Sequence, residues 1–151
     1  MENHNIHHYK ECGLDNIYLT NGVNILETPY GRTTSINDLD GLHRAIGLHV
    51  ANTKSRLSGK EVKFLRHELD LSQAVLATLL RTTEQTFARW EKGKIKLPGP
   101  AQALLTAFYM ENVKGGSTLA KHLEHLAQLD AEVHEDLCLS YSDSEWEQCA
   151  A

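Results

Sequence analysis

The chain has 151 residues, of which 41% are hydrophobic and 23% charged, and its formal net charge is −5. This length accommodates one ordinary domain, or a small domain with appendages. No apolar run approaches the roughly 20 residues that a membrane-spanning helix needs, and the polar, His-rich residues 1–8 do not resemble a signal peptide. These features predict a cytoplasmic protein without a membrane span.

The three cysteines bear on the compartment and on metal binding. Cys12, Cys138 and Cys149 are odd in number and widely scattered, a pattern typical of neither a disulfide framework nor a metal-ligand cluster. They therefore favour a reducing compartment. We expect no metal site and no cofactor, and we interpret the histidines near the N-terminus, together with His122 and His125, as surface residues.

The first zone, residues 1–57, contains short runs rich in Gly, Asn, Thr and Asp. Ile17–Leu19, the Asn21-Gly22 dipeptide and Val23–Leu26 together predict a β-hairpin with an Asn-Gly turn. Residues 38–47 are compatible with a short helix or with a strand. The residues that interrupt the β pattern are Pro29, Gly31 and the run Thr33–Ser35.

The second zone, residues 58–112, is predicted to be helical throughout. Ser58 and Glu61 form a capping box at its start, and further helices begin at Ser72, at Thr83 and after Pro98. Helical spacing predicts one inward-facing stripe on each helix. The side chains expected in these stripes are Val62, Leu65, Leu69, Val75, Leu76, Leu79, Leu80, Phe87, Trp90, Leu104, Leu105 and Phe108.

The remaining residues divide into two segments. In residues 113–139, Gly115-Gly116 is a hinge and Ser117 caps an amphipathic helix that extends to about residue 131. That helix either forms a dimer element or packs on its own domain. The last segment, residues 140–151, is acidic and rich in small residues, and we expect it to be disordered.

Charge is distributed unevenly along the chain. Residues 58–98 carry eight basic and five acidic side chains, a net charge of +3. From residue 117 onward there are one basic and eight acidic side chains, a net charge of −7. A local basic face binds phosphates even when the whole molecule is acidic. The second zone is therefore compatible with nucleic-acid binding.

Two short predicted helices follow each other closely in this zone, each beginning at a hydroxyl side chain. The motif comprises Leu71-Ser72-Gln73, Ala77, Thr83 and Trp90-Glu91-Lys92-Gly93. Small Ala77 lies where the two helices must cross closely, and this architecture lets the second helix protrude far enough to enter a major groove about 12 Å wide. The motif resembles the Xre/Cro-repressor family of helix-turn-helix domains over about a third of the chain, from Gly59 to roughly Tyr109.

The resemblance implies a mainly α fold, with a five-helix Xre/Cro-like helix-turn-helix domain behind a small β-containing N-terminal segment. The family usually has Gly in the turn, where this chain has Leu80-Arg81-Thr82. Either Arg81 adopts the left-handed conformation that Gly favours, or the turn avoids it.

A narrower resemblance is carried by the run Phe87–Gly93 and by Leu97–Pro100, which look like the DNA-binding domain of MqsA-type antitoxins. That family has a zinc module with two Cys-x-x-Cys pairs before the helix-turn-helix. This chain has only Cys12 before Ser58, and Cys12 with His43 cannot complete a tetrahedral site. Residues 1–57 are therefore interpreted as a degenerate module without zinc.

Gln85 and Arg89 lie four residues apart, on the helix face opposite Phe87 and Trp90. Arginine pairs with guanine O6 and N7, and glutamine with adenine N6 and N7. The resemblance also implies that these two positions contact bases. The alternative for Arg89 is a salt bridge with Glu84 or Glu91. Thr86 is a further candidate for base contact, and the candidates for phosphate contact are Ser72, Gln73, Thr83, Lys92, Lys94 and Lys96.

These features predict a DNA-binding transcriptional regulator, and nothing in them suggests an enzyme. The main hypothesis is a homodimeric repressor that binds a palindromic operator of double-stranded DNA. The alternative is an antitoxin-type protein that binds a partner toxin through residues 1–57 and autoregulates its operon. A third hypothesis is a regulator that senses a ligand through the same residues.

Overall fold

The computed structural model describes residues 6–53, 56–115, 121 and 136–149. Of these residues, 45% are helical and 20% lie in strands of three small antiparallel sheets. The fold is therefore an α+β mixture, and the predicted mainly α class is wrong. The elements are β1 (His7–His8), β2 (Tyr18–Leu19), β3 (Val23–Thr28), β4 (Gly31–Ile36), α1 (Leu39–Thr53), α2 (Gly59–Glu68), α3 (Gln73–Leu79), α4 (Glu84–Glu91), α5 (Gly99–Val113), β5 (Leu139–Ser142) and β6 (Glu145–Gln148).

The N-terminal strands pair differently from the prediction. β2 pairs with β1, and β3 pairs with β4, so the Asn21-Gly22 turn does not join two partners of one hairpin. The observed β3–β4 turn is Pro29-Tyr30, where proline fixes φ, and the following threonines suit an extended strand because they are β-branched. The residues interpreted as interruptions thus form the turn and half of the sheet.

Residues 39–47, for which helix and strand were both open, belong to α1. Asp38 precedes this helix and accepts a hydrogen bond from the Gly41 amide at 3.2 Å. The predicted start of α2 is confirmed, because Ser58 and Glu61 form both hydrogen bonds of the capping box. Ser72 and Thr83 likewise accept hydrogen bonds from the third amide of α3 and of α4.

Hydrogen bonds at the C-terminal end of α3 form the turn Leu80-Arg81-Thr82, which lacks the glycine usual at this position. After α3, the amide of Arg81 donates to the Thr78 carbonyl and that of Thr82 to the Ala77 carbonyl, which is the Schellman pattern. Arg81 adopts a φ of +58°, so it takes the left-handed conformation itself. The helix-turn-helix connection therefore forms without glycine, at a conformational cost of about 1–2 kcal/mol.

One hydrophobic core joins the N-terminal segment to the helices. Tyr9 and Leu14 from the first zone, and Ile46 and Val50 from α1, belong to the same buried cluster as the helix-turn-helix. Residues on both sides of the predicted boundary at 57/58 thus share one core. Val75 was predicted to face inward, but it is 38% exposed, because Leu76 and Leu79 already occupy the narrow buried stripe of α3. Other buried members are Val62, Phe64, Leu65, Phe87, Trp90, Leu105, Phe108 and Tyr109.

The C-terminal residues were predicted to be disordered, and this is wrong for residues 140–148, which form the hairpin β5–β6. Cys138 and Cys149 close it with a disulfide, whereas the number and spread of the cysteines were interpreted as atypical of a disulfide framework. The two cysteines are 11 positions apart in the sequence, and they lie opposite each other because the chain reverses between Ser142 and Glu145. The helix predicted from Ser117 to about residue 131 lies outside the described residues. None of the described helices has the length and apolarity needed to cross a membrane.

Replacing Gly59 with alanine is expected to lower the free energy of unfolding by about 1–3 kcal/mol. A Cβ at Gly59 would lie 2.7 Å from the Trp90 carbonyl oxygen and would also collide with the Glu91 carbonyl, so the backbones of α2 and α4 would have to separate. Urea denaturation measures the change. The control is Gly99→Ala, whose Cβ meets no atom within 4 Å and which should be neutral or slightly stabilising. Equal effects at both positions would contradict the close approach of α2 and α4.

Candidate nucleic-acid interface

The helices α3 and α4 pack against each other and form the candidate interface. Phe87 is fully buried and Trp90 is 6% exposed, and their ring centroids lie 5.7 Å apart at an interplanar angle of 64°. Both were predicted to face inward, and this is confirmed. Ala77 is buried on α3, as expected for a small residue at a close crossing. These contacts fix the rotation of α4 about its axis.

The side of α4 opposite Phe87 and Trp90 is exposed. Gln85 and Arg89 are both solvent-accessible there. Within the described part of the chain, neither side chain has a hydrogen-bond or ion-pair partner, and the alternative salt bridge of Arg89 is not formed. The structure therefore leaves both polar groups available to an external ligand, while their contact with bases stays a prediction.

Glu91 is instead part of a network that joins three helices. Its carboxylate pairs with the Arg66 guanidinium of α2, and the two side chains are only 5% and 12% exposed. The amide of Gln73 on α3 donates to the same carboxylate at 2.6 Å. Arg66 also donates to the Leu71 carbonyl at 3.1 Å, so the network fixes α3 and α4 against α2.

The hydrogen bond to Glu91 limits the phosphate contact that was predicted for Gln73. The side-chain amide nitrogen carries two hydrogens, and one of them is directed at Glu91. The second hydrogen suffices for one phosphate contact. Gln73 is thus held by a buried carboxylate while it lies at the first turn of α3, and its phosphate contact stays a prediction.

The three candidate hydroxyl residues differ in whether their hydroxyl hydrogen is available to a phosphate. Ser72 accepts from the Val75 amide at 3.1 Å, so its own hydroxyl hydrogen can still be donated. Thr83 accepts from the Thr86 amide at 3.1 Å and donates its hydroxyl to Thr86 Oγ1 at 2.8 Å. A phosphate at Thr83 would therefore have to replace that hydrogen bond, whereas Thr86 keeps its own hydroxyl hydrogen.

The loop after α4 provides the positive charge. Lys92, Lys94 and Lys96 are exposed, and they surround Ile95, which is 42% exposed. Gly93 adopts a φ of +73° and reverses the chain after α4. Among the described residues, no carboxylate lies within ion-pair distance of these lysines. This basic loop (residues 92–96) is therefore available for an anionic backbone next to α4.

No family model, no curated protein and no solved structure matches the chain. The resemblance to Xre/Cro and MqsA-type proteins consequently stays a prediction. The geometry of α3, α4 and the basic loop is what supports a nucleic-acid interface here.

A second polar cluster, formed by Tyr9, His43 and Glu68, was not predicted from the sequence. Tyr9 Oη and His43 Nε2 are 2.7 Å apart, and His43 Nδ1 and Glu68 Oε1 are also 2.7 Å apart. His43 and Glu68 line a cavity of about 570 Å³ together with Cys12. The described residues contain no group of three or more His, Cys, Asp or Glu side chains able to hold a metal ion. Sequence separations of 34 and 25 residues left no local signal for this cluster.

The free energy of unfolding should decrease above about pH 10 because Tyr9 and Tyr109 are buried. Burial raises the pKa of Tyr9, with smaller contributions from Cys12 and Glu11, and burial also raises the pKa of Tyr109. The unfolded chain then loses its phenolic protons first, so this stabilisation is present below pH 10 and is lost as pH rises through the folded-state pKa values. Urea denaturation between pH 8 and 11 measures the decline. The double variant Tyr9→Phe with Tyr109→Phe should show a smaller decline, and an equal decline would refute the assignment.

Proposed function

We propose that the chain is a cytoplasmic, sequence-specific DNA-binding regulator that represses transcription as a homodimer on a palindromic operator. In this proposal α4 enters the major groove of double-stranded DNA, where Gln85 and Arg89 contact base edges and Thr86 adds a contact. Ser72, Gln73 and the basic loop bind the phosphates on either side, which positions α4 without adding sequence information.

The observation that carries the proposal is the exposed pair Gln85 and Arg89 on α4. Both side chains project from an eight-residue helix whose opposite side is anchored in the core by Phe87 and Trp90. A rigid helix that presents unpaired donors in fixed register suits recognition of base edges. Glu84 on the same helix is exposed, and a carboxylate in the groove accepts from a cytosine amine.

Homodimerisation is part of the proposal because the base contacts of one helix provide too little binding free energy for specificity. One helix with two or three base contacts, at about 1–3 kcal/mol each, falls short of the specificity that a genome requires. Two copies of α4 related by a two-fold axis double the number of base contacts. The operator would then contain an inverted repeat whose half-sites are separated by about one helical turn.

The test is repeated selection of duplexes from a random pool, followed by the mass of the purified complex. The proposal expects enrichment of an inverted repeat and two chains per duplex. Failure to enrich any sequence, with only salt-sensitive binding to all duplexes, would overturn sequence-specific recognition. Enrichment of a single half-site with one chain bound would overturn the homodimer alone.

A second candidate function is that of an antitoxin-type protein whose N-terminal segment binds a partner toxin. The observation that favours it is the hairpin β3–β4, on which Ile25 and Leu26 are more than half exposed and Tyr30 at the turn is fully exposed. An isolated two-stranded hairpin with exposed apolar side chains is marginally stable, so it suits a protein partner. Copurification of the full chain with a neighbouring gene product, lost in Ile25→Ser/Leu26→Ser, would support this function, and retained copurification would oppose it.

A further inference from the structure

The C-terminal hairpin, residues 136–149, is exposed along almost its whole length. Every residue from 136 to 148 is exposed, and the exposed fractions of its large apolar side chains range from 51% to 69%. The buried cluster described above draws its members from residues 9–109. An isolated two-stranded hairpin is at best marginally stable in water. The hairpin therefore depends on its own internal interactions to stay paired.

The turn of the hairpin does not supply this stability. Ser142 pairs with Glu145, so Asp143 and Ser144 are the two central residues of the turn, and their φ values are +48° and +66°. A two-residue turn with two positive φ values favours Asn-Gly or Asp-Gly. Aspartate tolerates this conformation, but Ser144 occupies the position at which glycine is preferred. The turn is therefore a cost to the paired state.

Two interactions oppose that cost, and they differ greatly in size. Tyr141 and Trp146 are cross-strand partners with ring centroids 5.3 Å apart, and such a pair multiplies the ratio of folded to unfolded hairpin by less than about fivefold. The disulfide between Cys138 and Cys149, 11 positions apart, restricts the unfolded segment and multiplies the same ratio by about a hundredfold. The disulfide is therefore what keeps the hairpin paired.

The disulfide also lies where a thiol can reach it. Cys138 is exposed and Cys149 is half-buried, and their Cα atoms are 5.3 Å apart, a separation usual for disulfides. Exposed disulfides are the ones that exchange readily with thiols. In the cytoplasm, the compartment of the proposed function, thiols are kept reduced, and the disulfides found there are typically transient. These features suit reversible exchange rather than a permanent cross-link.

We propose that Cys138 and Cys149 form a reversible thiol–disulfide exchange site, and that reduction by a dithiol unfolds the hairpin while α1–α5 stay folded. One thiolate of the dithiol attacks a cysteine sulfur, the bond between the two cysteine sulfurs breaks, and the released thiolate takes up a proton. The second thiol of the reductant then displaces the other cysteine. Two electrons and two protons thus pass to the chain, and the dithiol becomes a disulfide.

The reverse reaction restores the hairpin. An oxidised dithiol accepts the two electrons and two protons, and the bond between the cysteine sulfurs forms again. The reducing compartment rests on the proposed function, whereas the exchange and the unfolding do not. Both are therefore tested on the full chain without DNA.

The exchange is tested by mass spectrometry after alkylation of the thiols in denaturant. The air-oxidised chain should carry one alkyl group, at Cys12, and the chain treated with dithiothreitol should carry three. We expect dithiothreitol to open the disulfide in native buffer at a rate within about tenfold of that in concentrated urea, because an exposed disulfide needs no unfolding. Three alkyl groups before reduction, or a rate more than about a hundredfold slower in native buffer, would overturn the exchange site.

The unfolding is tested by nuclear magnetic resonance of the isotopically labelled chain before and after reduction. We expect the nuclear Overhauser contact between the Tyr141 and Trp146 rings to disappear and the helix signals to stay unchanged. Cys138→Ser/Cys149→Ser should lack the ring contact without any reductant. The matched control Cys12→Ser keeps the disulfide and should respond as the native chain does. A ring contact that persists once the disulfide is open, or loss of the helix signals, would overturn the proposal.

The cost of the turn provides a second variant, in which the reduced hairpin should regain its pairing. Ser144→Gly relieves the positive φ and should raise the ratio of folded to unfolded reduced hairpin about five- to thirtyfold, with partial return of the ring contact. The matched control is Ser140→Gly within β5, which should leave the reduced hairpin unfolded because glycine weakens a strand interior. Equal ring contacts in both reduced variants would overturn the role assigned to Ser144.

Discussion

Replacing Arg89 with alanine is expected to weaken binding to the operator by about 5- to 150-fold for each half-site, which corresponds to about 1–3 kcal/mol. The reason is geometric, because the guanidinium fork is exposed on α4 and is not occupied by Glu84 or Glu91. Loss of the fork removes two parallel hydrogen bonds to a guanine. The measurement is a fluorescence-anisotropy titration of a labelled duplex, with the enriched sequence compared with a shuffled one.

Two control variants separate base recognition from simple charge. Arg89→Lys keeps the charge but loses the bidentate fork, so it should bind the shuffled duplex normally while it loses preference for the enriched one. Arg44→Ala removes an exposed arginine from α1, away from α4, and should retain full preference. If Arg89→Ala keeps both affinity and preference, α4 does not recognise bases through this face.

Replacing Glu91 with alanine is expected to lower the free energy of unfolding by about 3–5 kcal/mol. The substitution leaves the guanidinium of Arg66 buried without its carboxylate, since its side chain is only 12% exposed, and it also removes the acceptor of the Gln73 amide. An uncompensated buried charge is far more costly than the lost pair itself. Urea denaturation followed by circular dichroism measures the change.

The matched control is Glu84→Ala, which removes an exposed carboxylate from the same helix and should change stability by less than about 0.5 kcal/mol. The double variant Arg66→Met with Glu91→Leu should recover most of the loss, because apolar groups of similar volume replace a buried pair at little cost. Equal losses in Glu91→Ala and Glu84→Ala would show that the network does not fix α4.

The local signals in the sequence predicted the helix-turn-helix with few errors. Capping by Ser58, Ser72 and Thr83 depends on residues three positions away, so short sequence patterns suffice to find it. The orientation of α4 followed from the spacing of Phe87 and Trp90. The sequence left two alternatives for the turn, in which Arg81 either adopts the left-handed conformation or avoids it. Its positive φ shows that it adopts that conformation.

The errors concern interactions between residues far apart in the sequence. Tyr18 pairs with His8 rather than across the Asn21-Gly22 turn, because strand register depends on which partner strand is near. The pairing of Arg66 with Glu91, 25 residues away, has no periodic signature, and Glu91 was instead considered a partner of Arg89.

The C-terminal hairpin was missed for a different reason. Its acidic composition is typical of disordered tails, and composition does not reveal that Tyr141 and Trp146 lie opposite each other in a paired register. The interpretation of Cys138 and Cys149 used the number and spread of the cysteines in the chain. It did not consider that these two residues directly flank the paired strands. The mainly α prediction failed because it omitted this hairpin and half of the N-terminal strands.

In the proposed function, α4 contacts the bases of a specific duplex. The most direct test is a nuclear magnetic resonance titration of the isotopically labelled full chain with the enriched duplex, followed through the backbone amides and the Arg89 side chain. We expect the largest chemical-shift changes at Gln85, Thr86 and Arg89, with smaller ones at Ser72, Gln73 and the basic loop. Largest shifts in β3–β4 or α1, with α4 unchanged, would contradict it.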